Sequence, residues 1–219
     1  MNKSGKKWIL TGLVLVAAFA VFTYLVKTVD VKSLGVNGTN IGFSAINCKL
    51  HKLLGVNMPL YIITDWAGMV PIFVAFSFGI KGFIQLIKRR NLKKVDRDIW
   101  ILGIHYMMVA ALYVVFERLP VNYRPILIDG VMETSFPSST TLLVLGVMPT
   151  LAEQVGRRCE NKRTITAVTI LSMVFSTFTV IGRLLSGVHW FTDILGSVII
   201  GIGLFCLYKG FILMVNKKI

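Results

Sequence analysis

The sequence predicts an all-α, polytopic membrane protein, with six transmembrane helices in one bundle and both termini on the cytoplasmic side. Three observations carry that prediction. Hydrophobic residues make up 55% of the 219, and mean hydropathy is +0.73, beyond what a soluble domain carries. The apolar residues fall in runs that mostly approach the roughly 20 residues needed to cross a hydrocarbon core. The basic residues, which give a formal net charge of +14, gather between alternate runs, as they do in cytoplasmic loops.

The first run, residues 8–25, follows Lys3, Lys6 and Lys7 and contains Ala18-Phe-Ala20, which imitates a signal peptide. Its apolar character continues through Val21 to Val26, so it reads as an uncleaved anchor. Residues 41–54 have the pattern of an amphipathic helix lying on the membrane surface. The second and third spans are predicted over 60–83 and 100–116. The fourth, 138–151, is short and holds Pro149, so it extends past Ala152, kinks, or begins inside a polar cavity. The fifth and sixth are predicted over 164–181 and 194–215.

Charge sets the orientation. Lys3, Lys6 and Lys7 precede the first span; Lys88, Arg89, Arg90, Lys93, Lys94 and Arg97 separate the second and third. Arg157, Arg158, Lys162 and Arg163 separate the fourth and fifth, and Lys217 and Lys218 follow the sixth. Six successive crossings put all four groups on one side, which the positive-inside rule makes the cytoplasm. The outward loops are then 27–59, 117–137 and 183–192. No internal repeat divides the chain, so 1–219 reads as a single membrane domain.

The same charge pattern argues against nucleic-acid binding: the clusters form no recognition face and no binding module is visible. They are placed to attract anionic lipid headgroups instead. Cys48, Cys159 and Cys206 fall outside, inside and within a span, without metal-ligand spacing or a plausible disulfide. No metal or other cofactor is implied.

The chemistry gathers in the outward loops. Gly182-Arg183-Leu-Leu-Ser-Gly-Val-His189-Trp-Phe-Thr-Asp193 brings an arginine, a histidine and an aspartate to the mouth of the last span. On a helix, His189 and Asp193 share one face, where the carboxylate fixes the imidazole tautomer and Arg183 grips an anion. Taken alone, the pair fits a hydrogen-bonded cap of the last helix better than it fits catalysis; arginines on the same side turn the reading toward phosphate chemistry. Tyr123-Arg124-Pro125 adds a second guanidinium suited to bidentate phosphate contact. Phe136-Pro137-Ser138-Ser139-Thr140 opens a helix whose hydroxyls and free N–H groups make an anion site.

On these residues the chain resembles the type 2 phosphatidic acid phosphatase superfamily of six-helix membrane enzymes that dephosphorylate lipid phosphates. The family pattern is Lys-x6-Arg-Pro, then Pro-Ser-Gly-His, then Ser-Arg-x5-His-x3-Asp. The match runs over about 117–193 and keeps Arg124-Pro125, Pro137-Ser138 and Arg183-x5-His189-x3-Asp193. The resemblance implies His189 as a nucleophile forming a phosphohistidine and Asp193 as its orienting carboxylate. It implies Arg124, Arg183 and Ser138 as phosphate ligands, with Ser139 and Thr140 in the same anion-binding turn. Three positions depart from the pattern: Glu117 stands where the family has lysine, Ser139 replaces glycine, and Thr140 replaces the histidine that protonates the leaving group.

Glu117 is then either a substitute acid or a structural partner of Arg118 or Arg124. Without a histidine at 140, a diphosphate is the easier substrate, because a departing phosphate needs a proton less than an alkoxide does. The expected function is a cell-membrane (inner or plasma) lipid phosphatase with an outward-facing site, acting on a membrane lipid phosphate. The preferred substrate is a polyprenyl diphosphate such as an undecaprenyl pyrophosphate carrier of the cell envelope. The alternative is a catalytically degenerate relative that binds lipid phosphates for transport, sensing or scaffolding. A channel or secondary transporter is disfavoured, since inverted repeats and a charged mid-membrane pathway are missing.

Among other polar residues, His51 reads as a surface histidine and His105 as hydrogen-bonded within the bundle. Asp65 reads as a helix contact or part of a headgroup path. Asp129 and Glu133 are expected to solvate their loop, and Tyr123 and Trp190 to anchor at the interface.

Overall fold

The computed structural model describes residues 3–215; the predicted basic pair Lys217 and Lys218 lies outside them. Among the described residues the regular structure is helical: α1 (Lys3–Thr28), α2 (Ser44–Leu54), α3 (Met58–Ala67), α4 (Met69–Arg89), α5 (Arg97–Arg118), α6 (Ser139–Arg158), α7 (Lys162–Leu185) and α8 (Phe191–Ile212). Five segments are long and apolar enough to cross a membrane: α1, α3 with α4, α5, α7 and α8. The predicted fourth span differs from them. It runs on past Pro149 to Arg158 as the 20-residue α6, about 30 Å long. Thr140, Thr141, Thr150 and Gln154 dilute its apolar character, and all four are buried against other helices rather than set in lipid.

Pro149 removes the amide that the Leu145 carbonyl would accept one turn back. At that level His105 Nε2 donates to the Gly146 carbonyl at 2.6 Å, and Tyr106 and Thr150 share a hydrogen bond of 2.8 Å. These contacts tie α5 to the proline-bearing stretch of α6. His105 is thus a bundle contact, as its place in the sequence suggested.

The predicted second span is broken at Gly68 into α3 and α4. Pro71, the third residue of α4, lacks the N–H that would continue the ladder from α3. The Gly68 amide turns back to the Asp65 carbonyl at 2.9 Å. A Cβ at position 68 would stand 3.3 Å from the Thr140 side chain, so the break is packed directly against the start of α6.

α8 is the helix around which the others pack, chiefly α1 and α6. Lipid supplies no hydrophobic drive between helices, so close backbone approach through small residues does this work. A Cβ at Gly12 would meet the Leu207 backbone nitrogen at 2.8 Å, and one at Gly210 would meet the Gly5 carbonyl at 2.9 Å. Phe19, Phe116 and Phe136 form an aromatic cluster that packs α1 and α5 beneath the α5–α6 loop.

The two ends of the bundle differ in charge. At one end Asp98 of α5 holds Arg158 at 2.6 Å and Arg157 at 3.8 Å, and Lys209 pairs with Glu153. The basic start of α1 lies at this same end, where Gly5 meets Gly210. At the other end α2, the α5–α6 loop and the α7–α8 turn converge. α2 is the helix expected over 41–54, and it leaves Ile46, Leu53, Lys49 and Lys52 exposed. The Asp30 carboxylate accepts the Ala45 amide at its start, at 2.7 Å, and that bond holds the carboxyl below its usual range.

Candidate active site

The last turn of α7 carries Arg183, which is therefore helical and wholly buried rather than in an outer loop as the span boundaries implied. The chain leaves α7 through Gly187 at φ +67°, a conformation that side chains rarely adopt. A Cβ there would lie 2.0 Å from the Gly55 carbonyl, so the α2–α3 connection presses directly on this turn. The Asn57 amide donates to the Ser186 carbonyl at 3.0 Å and fixes the same contact.

His189 precedes α8, whose first residue is Phe191, so His189 and Asp193 do not share a helical face as the spacing suggested. Their proximity has a different origin. Asp193 sits in the first turn of α8 and reaches back, accepting the Trp190 amide at 2.9 Å. The same Oδ2 lies 3.6 Å from His189 Nδ1. Asn122 supports the other carboxylate oxygen from 3.4 Å. Trp190 is buried and donates its Nε1 hydrogen to the Tyr123 carbonyl at 2.8 Å, which makes it part of the site's frame and not an interfacial anchor.

The other imidazole nitrogen, Nε2, faces Arg183 Nη2 at 3.2 Å. A guanidinium only donates, so Nε2 accepts and the ring proton belongs on Nδ1, toward Asp193. Burial pushes the imidazole well below its usual range, and the charges of Arg183 and Arg124 push the same way. His189 is accordingly neutral near pH 7, with a lone pair on Nε2.

Arg124 reaches the site on a hairpin-like loop. Arg124 N donates to the Glu133 carbonyl at 3.0 Å and Ser135 N to the Asn122 carbonyl at 2.9 Å. The tip is Asp129-Gly130, both with positive φ, which is the dipeptide that a tight hairpin turn selects. Glu133 pairs with Arg124 Nε at 2.9 Å, so it holds the guanidinium instead of merely solvating its loop. The Arg124 and Arg183 guanidiniums both lie over the Tyr61 ring, at 5.8 and 5.0 Å from its centre. One turn along α3, Asp65 Oδ1 lies 3.4 Å from Arg183 Nη1.

His189, Asp193, Arg183 and Arg124 are thus brought together. The helix-start hydroxyls contribute unevenly. Ser138 is fully buried; its Oγ donates to Thr141 Oγ1 at 3.1 Å and its amide to the Asp193 carbonyl at 3.2 Å. Thr140 turns toward Gly68, at the far wall. Ser139 lines a cavity of about 20 Å³ together with Glu117, Thr134 and His189. Glu117 accepts the Thr134 hydroxyl at 3.1 Å and pairs with neither arginine expected for it.

Tyr61, Asn122 and Asn47 were not evident as site residues from the sequence. Asn47 of α2 donates to Thr192 Oγ1 at 2.9 Å and accepts the Thr192 amide at 3.2 Å. His51, also on α2, folds over the site, bonding the Gly187 carbonyl at 3.1 Å and lying 5.4 Å from the Trp190 ring. Among the described residues no group of three His, Cys, Asp or Glu side chains is placed to hold a metal ion. What the site does hold is a neutral imidazole with an acidic side chain behind it and two guanidiniums nearby, a set of groups of the kind phosphoryl transfer uses.

Comparisons with known proteins bear on the family and the fold. A family model described as the PAP2 superfamily matches residues 105–217. The fold is similar to a crystal structure of "the first transmembrane PAP2 type phosphatidylglycerolphosphate phosphatase from Bacillus subtilis". The TM-score is 0.67 at 20% identity, over 94% of this chain and 98% of that one. No curated protein matches the chain.

Proposed function

The chain belongs to the PAP2 superfamily, and from that premise we propose that it is a membrane lipid phosphatase working through a phosphohistidine on His189. The observation that carries the proposal is the position of His189 Nε2, 3.2 Å from a buried arginine that a phosphate would share. Arg183 and Arg124 neutralise the phosphoryl oxygens, and charge stabilisation of this type dominates such transfers. Nε2 attacks phosphorus and the leaving oxygen departs. Asp193 stabilises the positive charge that develops on the ring. Water then cleaves the P–N bond and releases phosphate.

The site lies at the end of the bundle opposite Arg157, Arg158 and the basic start of α1. The positive-inside rule turns the basic end toward the cytoplasm, which supports six crossings, internal termini and an outward-facing site. The lipid tail stays in the bilayer while the headgroup enters between helices.

Thr140 selects among substrates. A threonine hydroxyl holds its proton too tightly for acid catalysis near neutral pH. Since general acid assistance is worth about 10²–10⁴-fold, substrates whose leaving group needs no proton are favoured. A polyprenyl diphosphate is therefore expected to turn over faster than a lipid monophosphate with a matched tail. The check is phosphate release by detergent-purified protein on the two lipids side by side; preference for the monophosphate contradicts the assignment. The absence of release from both, with lipid-phosphate binding intact, would instead identify a binding protein descended from an enzyme.

The environment of His189 predicts the acid limb of the pH profile. Burial and two arginines lower its proton affinity, so the free protein keeps a neutral nucleophile as pH falls through 6.5, the usual value. Protonation, and with it loss of kcat/KM, sets in well below that. A kcat/KM profile whose acid limb lies at or above pH 6.5 would place His189 in a different electrostatic setting.

A further inference from the structure

Hydrolysis of a phosphohistidine needs a group that takes a proton from the attacking water, on the side of phosphorus away from Nε2. His189 is itself bonded to phosphorus at that stage, and neither Ser138 nor Thr140 offers a basic group. Three carboxylates besides Asp193 reach the site. Glu133 is committed to Arg124 at 2.9 Å. Glu117 meets His189 only across the cavity of about 20 Å³, and neither arginine lines that cavity. The phosphoryl group is therefore not on the Glu117 side.

Asp65 is placed differently. The two terminal nitrogens of the Arg183 guanidinium have separate partners: Nη2 faces His189 Nε2 at 3.2 Å, and Nη1 faces Asp65 Oδ1 at 3.4 Å. A phosphoryl group gripped by this planar fork lies between the two, with nucleophile and carboxylate on opposite flanks. The Asp65 side chain is 54% exposed at the edge of the bundle, whereas Arg183 and His189 are buried, so this is the flank of Arg183 that opens outward. It also lies one turn before Gly68, against which the start of α6 packs at Thr140.

We infer that Asp65 is the general base of the second half-reaction, an assignment that rests on the phosphohistidine reading above. The water oxygen bonds to phosphorus while one of its protons passes to the Asp65 carboxylate. The P–N bond breaks, its electron pair returns to Nε2, and orthophosphate departs. Asp65 then releases the proton to solvent.

The test is rapid-quench kinetics on detergent-purified wild type, Asp65→Asn, Asp65→Ser and His189→Ala, using a polyprenyl diphosphate labelled in its terminal phosphate. Asp65→Asn is expected to release one equivalent of polyprenyl monophosphate in a burst and to retain acid-labile, alkali-stable label on the protein. Its steady-state phosphate release should fall by about 10²–10⁴-fold. Wild-type turnover in this variant overturns the inference. So does loss of the burst together with turnover, which would make Asp65 a residue that holds Arg183 in place. If Asp65→Asn does not elute as a folded species, Asp65→Ser carries the test: slow turnover with an intact burst supports the assignment, and unchanged turnover overturns it. A wild type with neither burst nor phosphate release, indistinguishable from His189→Ala, removes the phosphatase reading itself and the inference with it.

Discussion

His189→Ala is expected to abolish phosphate release, by on the order of 10⁶-fold in kcat for a nucleophile acting within a concerted set. The surroundings of His189 are built for this one nitrogen. Asp193 takes the Nδ1 side, Arg183 faces Nε2, and the turn at Gly187 fits against Gly55 so closely that no Cβ is tolerated. Alanine removes the attacking atom without disturbing the helices on either side, because His189 lies between α7 and α8 and not within them. Lipid-phosphate binding should therefore survive, since the arginines remain. Phosphate release measured beside lipid-phosphate binding separates the two effects. Persisting release in the variant would show that the phosphoryl group is attacked by water directly or by another residue.

The second large effect is expected at Arg183. Arg183→Ala should lower kcat/KM by about 10³–10⁵-fold, the range seen when an arginine that stabilises transferring phosphoryl groups is lost. The lysine variant is the more informative. It keeps a positive charge but loses the planar fork that reaches His189 and Asp65 at once. If both nitrogens of the fork are used, Arg183→Lys falls closer to the alanine variant than to wild type. Wild-type kcat/KM in Arg183→Lys would mean that charge alone suffices and that the two-sided geometry is incidental. Arg124→Lys makes a useful comparison, because Arg124 rests on a loop and on Glu133, whereas Arg183 is set into a helix.

The membrane architecture was legible in the sequence because long apolar runs and basic clusters are local signals. The departures came where a local signal was weak or competed with another. Gly68 and Pro71 break a segment that hydropathy alone reads as one continuous span. The apolar run of α6 stops short of its true end because its threonines, Gln154 and Glu153 look unlike a lipid-facing helix; burial of the threonines and Gln154 within the bundle removes that requirement, and of the three outcomes left open for this span, extension past Ala152 is the one seen. Arg183, His189 and Asp193 were legible because they lie within eleven residues. Asp65 was legible only as a helix contact or part of a headgroup path, and Tyr61 not at all, since their meeting with Arg183 depends on how α3 packs against α7. The hairpin that aligns Arg124 with Glu133 did carry a local signal, the Asp129-Gly130 pair, which the hydropathy of the flanking spans overshadowed.

The contact between Gly12 of α1 and Leu207 of α8 has a consequence for biosynthesis. These two residues meet across the bundle, yet nearly every other helix is made between them. Asp193, which lies behind His189 Nδ1, belongs to the helix that is translated last among those described. A ribosome that stalls before α8 leaves a set of inserted helices with Arg124 and Arg183 in place but the carboxylate behind His189 missing. On the proposed mechanism such copies would be silent toward phosphate, and activity would arrive in one late step, when α8 docks against α1.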